Sequence, residues 1–361
     1  MEKKFRVLVI NPGSTSTKLA FYEDKELLSE EEISHSTEEL KDYEKIVDEI
    51  KFRTELVRKF LERHNIDLKT LDAVVGRGGV IKPIPGGTVY GVNKKMIDDL
   101  TEAKYGEHAS NLGALIANEL IKSTNIPAFI LDPVVVDEKF PLSRYSGLPE
   151  LPRLSILHAL NQKAVARKYA EEKGKRYQDC NLIVTHLGGG ISVGAHRKSK
   201  IVDVNNALNG DGPFTPERSG GLPSNQLTEL CFSGKYTKDQ IKKLIKGKGG
   251  LTAYLGTNDL KEVERRMSAG DEKAKEILEA MIYQVAKEIC SLIPAFQGEK
   301  VDAVILTGGA AKCKMIVDLI RAWIIQTGIE VAVYPGSYEM TALRDGALRV
   351  LSGEDKELIY S

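Results

Sequence analysis

Short apolar runs separated by small and polar residues open the chain, and they predict strands joined by a turn. The runs VLVI and LAF, between Val7 and Phe21, are too short for buried helices and are rich in aliphatic residues. The residues between them, NPGSTSTK, are of types that favour turns. The segment therefore predicts a hairpin whose tip carries hydroxyl groups, backbone amides and the ammonium group of Lys18. Such a tip fits a polyphosphate, and it equally fits an ordinary solvated hairpin.

The rest of the first half predicts a third strand followed by helices and strands in alternation. The stretch KELLSEEEIS predicts a strand with a charged face, and residues 38–64 have the apolar spacing of an amphipathic helix that is broken once. LDAVVGRGG predicts a buried strand that ends in a loop at Arg77, IKPIPGGTVYGV predicts a loop, and IPAFIL predicts a strand that ends just before Asp132. Further helices are predicted near residues 94–104, 109–122 and 155–172.

The second half repeats this plan of strand, small-residue turn, strand, third strand and helices. It begins with NLIVTHLGGGISVGAHRKSKIVDVNN and continues into a long polar loop that contains Arg218. VDAVILTGGAA and IEVAVYPGS predict two later strands, and the last helices are predicted at 312–327 and 339–351. The pattern predicts an α/β protein of two similar domains. We expect a domain at 1–175, on which the final helix packs back, and a domain at 176–361 with a helical insertion at about 224–297.

Length and charge narrow the class of protein. With 361 residues the chain exceeds the usual size of one hydrophobic core, so two domains are expected. Lysine plus arginine and aspartate plus glutamate both number 51, and this balance argues against a nucleic-acid partner. No apolar run approaches the roughly 18 residues of a membrane span, and the amino-terminal segment has no signal-peptide pattern. We therefore expect a cytoplasmic protein with no membrane partner.

The glycine-rich loops exclude two common nucleotide motifs and favour a third arrangement. No GxxxxGK[ST] is present, and Gly188, Gly189 and Gly190 do not form GxGxxG, because Val193 stands at the third glycine position. Small-residue loops nevertheless follow strands at three places, Asn11–Lys18, His186–Gly190 and Thr307–Ala311. Glycine lets a ligand approach the backbone closely, so these loops fit a nucleotide held between two similar domains.

The motifs, taken together and in order, resemble the acetate/butyrate kinase family over essentially the whole chain. They are NPGSTSTK, VGRGG around Arg77, THLGGG, ERSG around Arg218, LTGGAA and SYEMTALRDGA. The forms NPGSTSTK and THLGGG, together with the chain length, resemble the butyrate and branched-chain members more than the acetate members. The resemblance implies the actin, sugar-kinase and heat-shock ATPase fold. In that fold two domains, each built on a five-stranded mixed sheet flanked by helices, hold ATP in the cleft between them.

The resemblance also implies a reaction and its partners. The γ-phosphoryl group of ATP would pass reversibly to a short-chain fatty acid, butyrate or isobutyrate, giving an acyl phosphate and ADP. Mg²⁺ is expected because it neutralises phosphate charge. Members of the family are at least dimers, so a homo-oligomer is expected.

Two arginines suit a reaction between anions, because a guanidinium is always charged and binds carboxylate or phosphate at two points. By resemblance, Arg77 and Arg218 clamp the carboxylate and the migrating phosphoryl group. Asp132 would orient the acceptor or a metal-bound water. A carboxylate acceptor is already ionised near neutral pH, so no general base is required.

Three of the six histidines match positions that the family places at its active site. By resemblance, His186 would donate to the ATP phosphates, and His158 would steady the transferring group or the acceptor. His108 would either contact the substrate or lie at the start of a helix. We interpret His35 and His64 as bystanders on charged surface segments, and His196 as structural.

The remaining site residues also come from the resemblance. Asn11 and Glu339 would lie near the metal. The nucleotide would contact Asn11, Ser14, Ser16, Lys18, His186, Gly188, Gly189 and Gly190, and its adenosine would lie over Gly308, Gly309 and Ala310.

Three other functions remain open at the level of sequence. An acetate or propionate kinase of the same family would differ in its preferred acid. A nucleotide-gated ATPase of the actin or chaperone type would hydrolyse ATP to change shape. A sugar kinase of the same fold would need a carboxylate base for a hydroxyl acceptor, and Asp132 could supply it.

Overall fold

The structure is a computed structural model, and it describes residues 3–361. Its chain divides into two compact units. The first comprises the described residues up to Val136, then Ala159–Asn161 and Tyr338–Ser361, and the second comprises Asp137–His158 and Gln162–Ser337. The domain limits at 175 and 176 stay a prediction.

Strands and helices alternate through both units. The strands are β1 Arg6–Pro12, β2 Ser16–Glu23, β3 Glu26–Ser34, β4 Ala73–Arg77, β5 Val89–Gly91, β6 Ala128–Leu131, β7 Asn181–Leu187, β8 Ile191–Arg197, β9 Lys200–Val204, β10 Ala303–Gly308, β11 Glu330–Pro335 and β12 Leu358–Ile359. The helices are α1 Thr37–Leu40, α2 Ile50–Arg63, α3 Lys94–Thr101, α4 Asn111–Ile121, α5 Ala159–Glu172, α6 Ser224–Phe232, α7 Lys238–Ile245, α8 Leu251–Leu255, α9 Leu260–Ser268, α10 Glu272–Ser291, α11 Lys314–Ile324 and α12 Glu339–Leu351. Among the described residues, no helix is long and apolar enough to cross a membrane.

The two sheets share one topology. The second unit has the strand order β11-β10-β7-β8-β9, and the first unit contains the corresponding order β6-β4-β1-β2-β3. In each sheet three antiparallel strands form a meander, and two further strands continue the sheet in parallel from its first strand. The repeated plan in the sequence therefore corresponds to a repeated sheet.

The first sheet is wider than the five strands implied by the resemblance. It has seven strands, because β5 pairs antiparallel with β6 and β12 pairs parallel with β5. The prediction of a loop over IKPIPGGTVYGV is wrong at β5. With three and two residues, these strands are too short to leave an apolar pattern, and neighbouring backbone alone defines them.

Helices cover both faces of the first sheet, which explains its continuous apolar strands. The run Val7–Ile10 is fully buried. Phe60 of α2 and Leu112 of α4 belong to the same core cluster as Leu8 and Ile10, and α12 contacts β1 and β4. A strand that is buried on both faces has no polar side, so it reads as an uninterrupted apolar run.

Helix α4 approaches β4 at backbone distance, just before the strand reaches Arg77. A β-carbon at Gly76 would overlap the carbonyl of Gly113, and one at Gly113 would overlap the carbonyl of Arg77. Only glycine at both positions permits this contact. The contact fixes the backbone from which the Arg77 side chain projects.

The predicted helices are present with shifted ends. The broken helix at 38–64 is α1 and α2, with a 3₁₀ turn at Ile46–Glu49 leading into α2. Helix α5 begins at Ala159, later than the predicted 155, and α12 has the predicted limits. The segment before α5, which includes Pro149 and Pro152, is irregular up to His158.

Candidate active site

Parallel strand ends bring three predicted residues of the first unit to one edge of its sheet. Strands β1, β4 and β6 run parallel, with Ile10 opposite Gly76 and Arg77 opposite Leu131. Asn11, Arg77 and Asp132 therefore lie at the same carboxyl edge. This edge is where open α/β sheets bind their ligands.

Arg77 holds a carboxylate at two points. Its Nη2 lies 3.2 Å from Glu339 Oε1, and its Nη1 donates to Glu339 Oε2 at 3.3 Å. Asn11 Nδ2 donates to Glu339 Oε2 at 2.9 Å, and Asn11 Oδ1 accepts from Arg77 Nη1 at 3.4 Å. The structure thus joins three predicted residues that are far apart in sequence.

Asn161 supports Glu339, and sequence reasoning missed it. Glu339 is the first residue of α12, and the backbone N–H of Tyr338 before it donates to Asn161 Oδ1 at 2.8 Å. Asn161 is fully buried. A single asparagine in a helix has no signature of this role, so only the fold reveals the contact.

Asp132 is held in an unusual backbone conformation beside the same edge. It is buried, its φ is +40°, and its Oδ1 accepts the backbone N–H of Gly87 at 2.6 Å. A residue with a side chain rarely adopts positive φ, although aspartate tolerates it better than most. The conformation and the hydrogen bond together fix the direction of the carboxylate.

His108 lies just before α4. Its Nδ1 accepts the backbone N–H of Ser110 at 3.2 Å and lies 2.8 Å from Ser110 Oγ. Ser110 is the N-cap residue of α4. Because Nδ1 accepts from a backbone amide, the neutral ring carries its proton on Nε2.

Two residues of the first hairpin project toward Glu32. Ser16 Oγ donates to Glu32 Oε1 at 3.0 Å, and Lys18 Nζ lies 3.3 Å from Glu32 Oε2. Lys18 pairs with Asn11 across β1 and β2, so both side chains leave the same face of the sheet. Ser14 is exposed at the tip.

The buried side chain of Arg53 donates hydrogen bonds to the tip of the first hairpin. Arg53 Nη1 donates to Gly13 O at 2.8 Å and to Ser16 O at 3.1 Å. It also donates to Thr17 Oγ1 at 3.0 Å, and that hydroxyl lies 2.8 Å from His35 Nε2. The prediction of His35 as a surface bystander is wrong, because the ring is buried. Burial, followed by the positive charge of Arg53, lowers the pKa of His35.

In the second unit, Arg218 lies against the glycine turn between β7 and β8. Its Nη1 donates to Ala207 O, and a β-carbon at Gly190 would overlap the guanidinium. Its Nε is buried without a hydrogen-bond partner, although Glu217 Oε1 lies 3.9 Å from its Nη2. Burial lowers the pKa of Arg218. A partly buried cation whose buried Nε–H has no hydrogen-bond partner is suited to an anionic ligand.

His158 and His186 stack beside this turn. Their ring centroids are 3.9 Å apart and their planes are inclined by 11°. His158 Nδ1 lies 2.8 Å from Ser192 Oγ on β8, and His186 lies near the end of β7, two residues before Gly188. The structure therefore brings the two predicted histidines together, within the second unit.

Two predicted glycine loops line one pocket of the second unit. Its volume is about 580 Å³, and Gly188, Gly189, Gly309 and Ala310 contribute to its wall. Gly308 ends β10 immediately before this wall. Sequence reasoning missed the other lining residues, Pro216, Asn258, Asp259, Leu260, Lys261, Glu264, Lys312, Cys313 and Lys314. Leu260, Lys261 and Glu264 belong to α9, within the predicted helical insertion, for which the sequence indicated helices but no ligand.

The repeated sheet flanked by helices defines an α/β protein, and comparison with known proteins identifies it as a phosphotransferase with a carboxyl acceptor. The chain belongs to the acetokinase family, whose sequence profile matches residues 153–341. The family inferred from the motifs is thus confirmed, and so is the fold class of two mixed sheets flanked by helices.

Relatives resemble the chain over nearly its whole length. It is 52% identical over 357 residues to butyrate kinase 2 of Clostridium acetobutylicum, covering 99% of each chain. It is 53% identical over 359 residues to a probable butyrate kinase of Listeria monocytogenes, again covering 99% of each. The acetate kinase of Porphyromonas gingivalis has the same fold, with a TM-score of 0.76 at 18% identity over 96% of this chain and 100% of that one.

Proposed function

We propose that this protein transfers the γ-phosphoryl group of ATP reversibly to butyrate or isobutyrate, forming an acyl phosphate and ADP. Membership of the acetokinase family and the high identity to butyrate kinases support a phosphotransferase with a carboxyl acceptor. An acetate or propionate preference is the alternative within the family, and a nucleotide-gated ATPase is the alternative outside it.

The observation that carries the proposal is the two-point contact between Arg77 and the Glu339 carboxylate. The same fork is suited to the carboxylate of an acyl acceptor. Arg77 is then both a substrate-binding and a catalytic residue, and His108 lies on the acceptor side. Arg218, with its unused Nε–H, and His158 stabilise charge on the transferring phosphoryl group.

The nucleotide is assigned to the glycine loops. Gly188, Gly189, Gly190 and His186 bind phosphate oxygens, and Gly308, Gly309 and Ala310 support the adenosine. The pocket of about 580 Å³ is large enough for a nucleoside and supports this assignment. The first hairpin contributes Asn11, Ser14, Ser16 and Lys18 to the phosphates.

The residues of the first unit fit magnesium. Glu339 supplies a carboxylate and Asn11 an amide oxygen, and these are the ligand types that Mg²⁺ prefers. No group of three or more histidine, cysteine, aspartate or glutamate residues is gathered for a metal within residues 3–361. A sparse ligand set suits Mg²⁺, since it retains waters and binds substrate phosphates. When bound, it would neutralise charge on the phosphoryl oxygens.

The assembly and location follow from the same proposal. Because members of the resembled family are at least dimers, we propose a homo-oligomer of two or more chains. We propose a cytoplasmic location, where ATP and short-chain acids are the partners, with neither nucleic acid nor membrane among them.

Replacing Asp132 by asparagine should lower kcat by about 10- to 100-fold without removing a basic limb from the pH–rate profile near neutrality. The acceptor carboxylate is already ionised, so Asp132 positions groups and abstracts no proton. The measurement is kcat and kcat/KM between pH 6 and 9 for both proteins.

Asp72→Asn is the matched control, since Asp72 Oδ2 also accepts a backbone amide, that of Arg6 at 2.8 Å, before the start of β4. The control should keep wild-type turnover. Loss of a basic limb only in Asp132→Asn would assign a general base and favour the sugar-kinase alternative.

The acid preference is tested with a chain-length series. Each methylene group buried in a fitting pocket contributes up to about 0.8 kcal/mol, so butyrate should exceed acetate in kcat/KM by roughly tenfold. The measurement is acyl hydroxamate formation with acetate, propionate, butyrate, isobutyrate and valerate at saturating Mg-ATP. If acetate is the best substrate, the butyrate assignment is wrong. ATP hydrolysis with no activity on any acid would contradict the kinase proposal itself.

A further inference from the structure

A chain of hydrogen bonds runs through the second unit and ends at His158. Tyr177 Oη lies 2.6 Å from His196 Nδ1, and His196 Nε2 lies 2.9 Å from Gln162 Oε1. Gln162 Nε2 donates to Ser192 Oγ at 2.8 Å, and Ser192 Oγ lies 2.8 Å from His158 Nδ1. Three side chains therefore connect Tyr177 to His158, one of the two stacked histidines.

One backbone carbonyl sets the direction of the whole chain. Gln162 Nε2 donates to Ser192 O at 3.0 Å, and a carbonyl can only accept, so the amide orientation is determined. Gln162 Oε1 then faces His196 Nε2, which must carry a proton. The other nitrogen, Nδ1 of the neutral ring, accepts from Tyr177 Oη.

The same reasoning reaches His158. Ser192 Oγ receives hydrogen bonds from Gln162 Nε2 and, at 3.4 Å, from the backbone N–H of His158. The serine hydroxyl has one hydrogen to donate, and the remaining partner is His158 Nδ1. The neutral His158 ring therefore accepts at Nδ1 and carries its proton at Nε2.

The residues of strand β8 leave room for this series of hydrogen bonds. Ser192, Gly194 and His196 leave the same face of the strand, because side chains alternate along it. A β-carbon at Gly194 would come within 2.5 Å of Gln162 Oε1, so the missing side chain makes room for the amide. Gln162, Ser192 and His196 are all fully buried.

Burial also affects the protonation of His196, the histidine within this series of hydrogen bonds. Desolvation, followed by the charges of Lys163 and Arg167, lowers the pKa of His196 well below its ordinary value. A lowered pKa favours the neutral form of the His196 ring. A neutral ring can both accept and donate, which the chain requires.

We propose that Tyr177, His196, Gln162 and Ser192 are positioning residues that hold His158 as the Nε2–H tautomer. His158 then presents a hydrogen-bond donor, and not a lone pair, at Nε2. The role of this donor in stabilising phosphoryl charge rests on the proposed kinase function, whereas the tautomer itself does not. A donor directed at developing charge lowers the barrier, and the opposite tautomer would place a lone pair there.

The tautomer is tested by nitrogen NMR on the full chain without substrates. With ¹⁵N-labelled histidine, long-range spectra distinguish a protonated ring nitrogen from a bare one, and His158→Gln identifies the His158 signals among six histidines. Wild-type His158 should show protonated Nε2 and bare Nδ1. Ser192→Ala should produce a mixture of tautomers, because Nδ1 loses its donor. Wild-type His158 protonated at Nδ1, or a Ser192→Ala spectrum unchanged from wild type, would overturn the proposal.

Kinetics give the second readout. Ser192→Ala should lower kcat for the best acid by about 10- to 100-fold with little change in KM, and Tyr177→Phe should lower it less because it acts at the far end. Ser143→Ala and Tyr169→Phe are matched controls, since both hydroxyls are buried and bond elsewhere, to Val202 O and to Glu330. If kcat fell equally in these variants and in the controls, Ser192 and Tyr177 would have only a structural role. If no acid is a substrate, the kinase proposal fails while the NMR result still decides the tautomer.

Discussion

Replacing Arg77 by alanine should lower kcat for acyl phosphate formation by about 10² to 10³ and leave ATP binding largely intact. Removing one preorganised charge contact in a reaction between anions costs roughly 3–4 kcal/mol of barrier. Arg77 lies where β4 ends, with its fork on Glu339 and Asn11, so its loss would remove the proposed acceptor contact and the two-point ion pair with Glu339. The measurements are steady-state kinetics with hydroxamate detection and nucleotide affinity by calorimetry.

Two variants make this result specific. Arg77→Lys should recover little activity, because a point charge cannot make a two-point contact. Arg197→Ala is the matched control: its side chain is 25% exposed against 18% for Arg77, and it is likewise paired with a carboxylate, that of Glu299. If Arg77→Ala kept more than about a tenth of the wild-type kcat, the role assigned to Arg77 in catalysis would be wrong.

Gly190→Ala should cost as much activity as Arg218→Ala, about 10² to 10³ in kcat, although it removes no functional group. The alanine methyl would occupy the place of the Arg218 guanidinium, and the arginine must move away from the turn. Its misplaced charge then no longer meets the phosphoryl group. Gly147→Ala is the control, because a β-carbon there meets nothing within 4 Å.

The double variant separates this explanation from a general loss of the turn. If Gly190→Ala acts through Arg218, adding it to Arg218→Ala should lower kcat little further. Full additivity of the two losses would mean that the methyl group damages phosphate binding by itself. Circular dichroism and thermal unfolding should be close to wild type for each protein.

The family, the reaction class and the repeated sheet could be inferred from the sequence, because their signals are local. The run at Val7–Ile10 is apolar because helices cover both faces of its strand, and Gly190 lacks a side chain where the Arg218 guanidinium lies against its turn. Arg77 ends β4 directly before Gly78 and Gly79, and Arg218 lies in a loop shortly before Gly220 and Gly221, so adjacent glycines in the sequence indicated both arginines. Their assigned roles stay predictions.

Short strands and buried polar partners could not be inferred in the same way. Strand β5 has three residues and β12 has two, and each exists only because a neighbouring strand supplies its hydrogen bonds. His35 lies in a charged segment, yet its ring is buried against the arginine that holds the first hairpin. The residues next to these positions in the sequence do not indicate which distant residues will become their partners.

By itself, the sequence determined which groups two strand ends and one helix start would offer: an amide at Asn11, a guanidinium at Arg77 and a carboxylate at Glu339. Only the tertiary structure decided that these groups meet, because Asn11 and Glu339 are separated by 328 positions and a helix must fold back onto β1 to join them. The same holds for His158, whose Nδ1 partner lies 34 positions away on β8. Residue types follow from local chemistry, whereas hydrogen-bond partners and tautomers follow from packing that brings distant segments within 3 Å of one another.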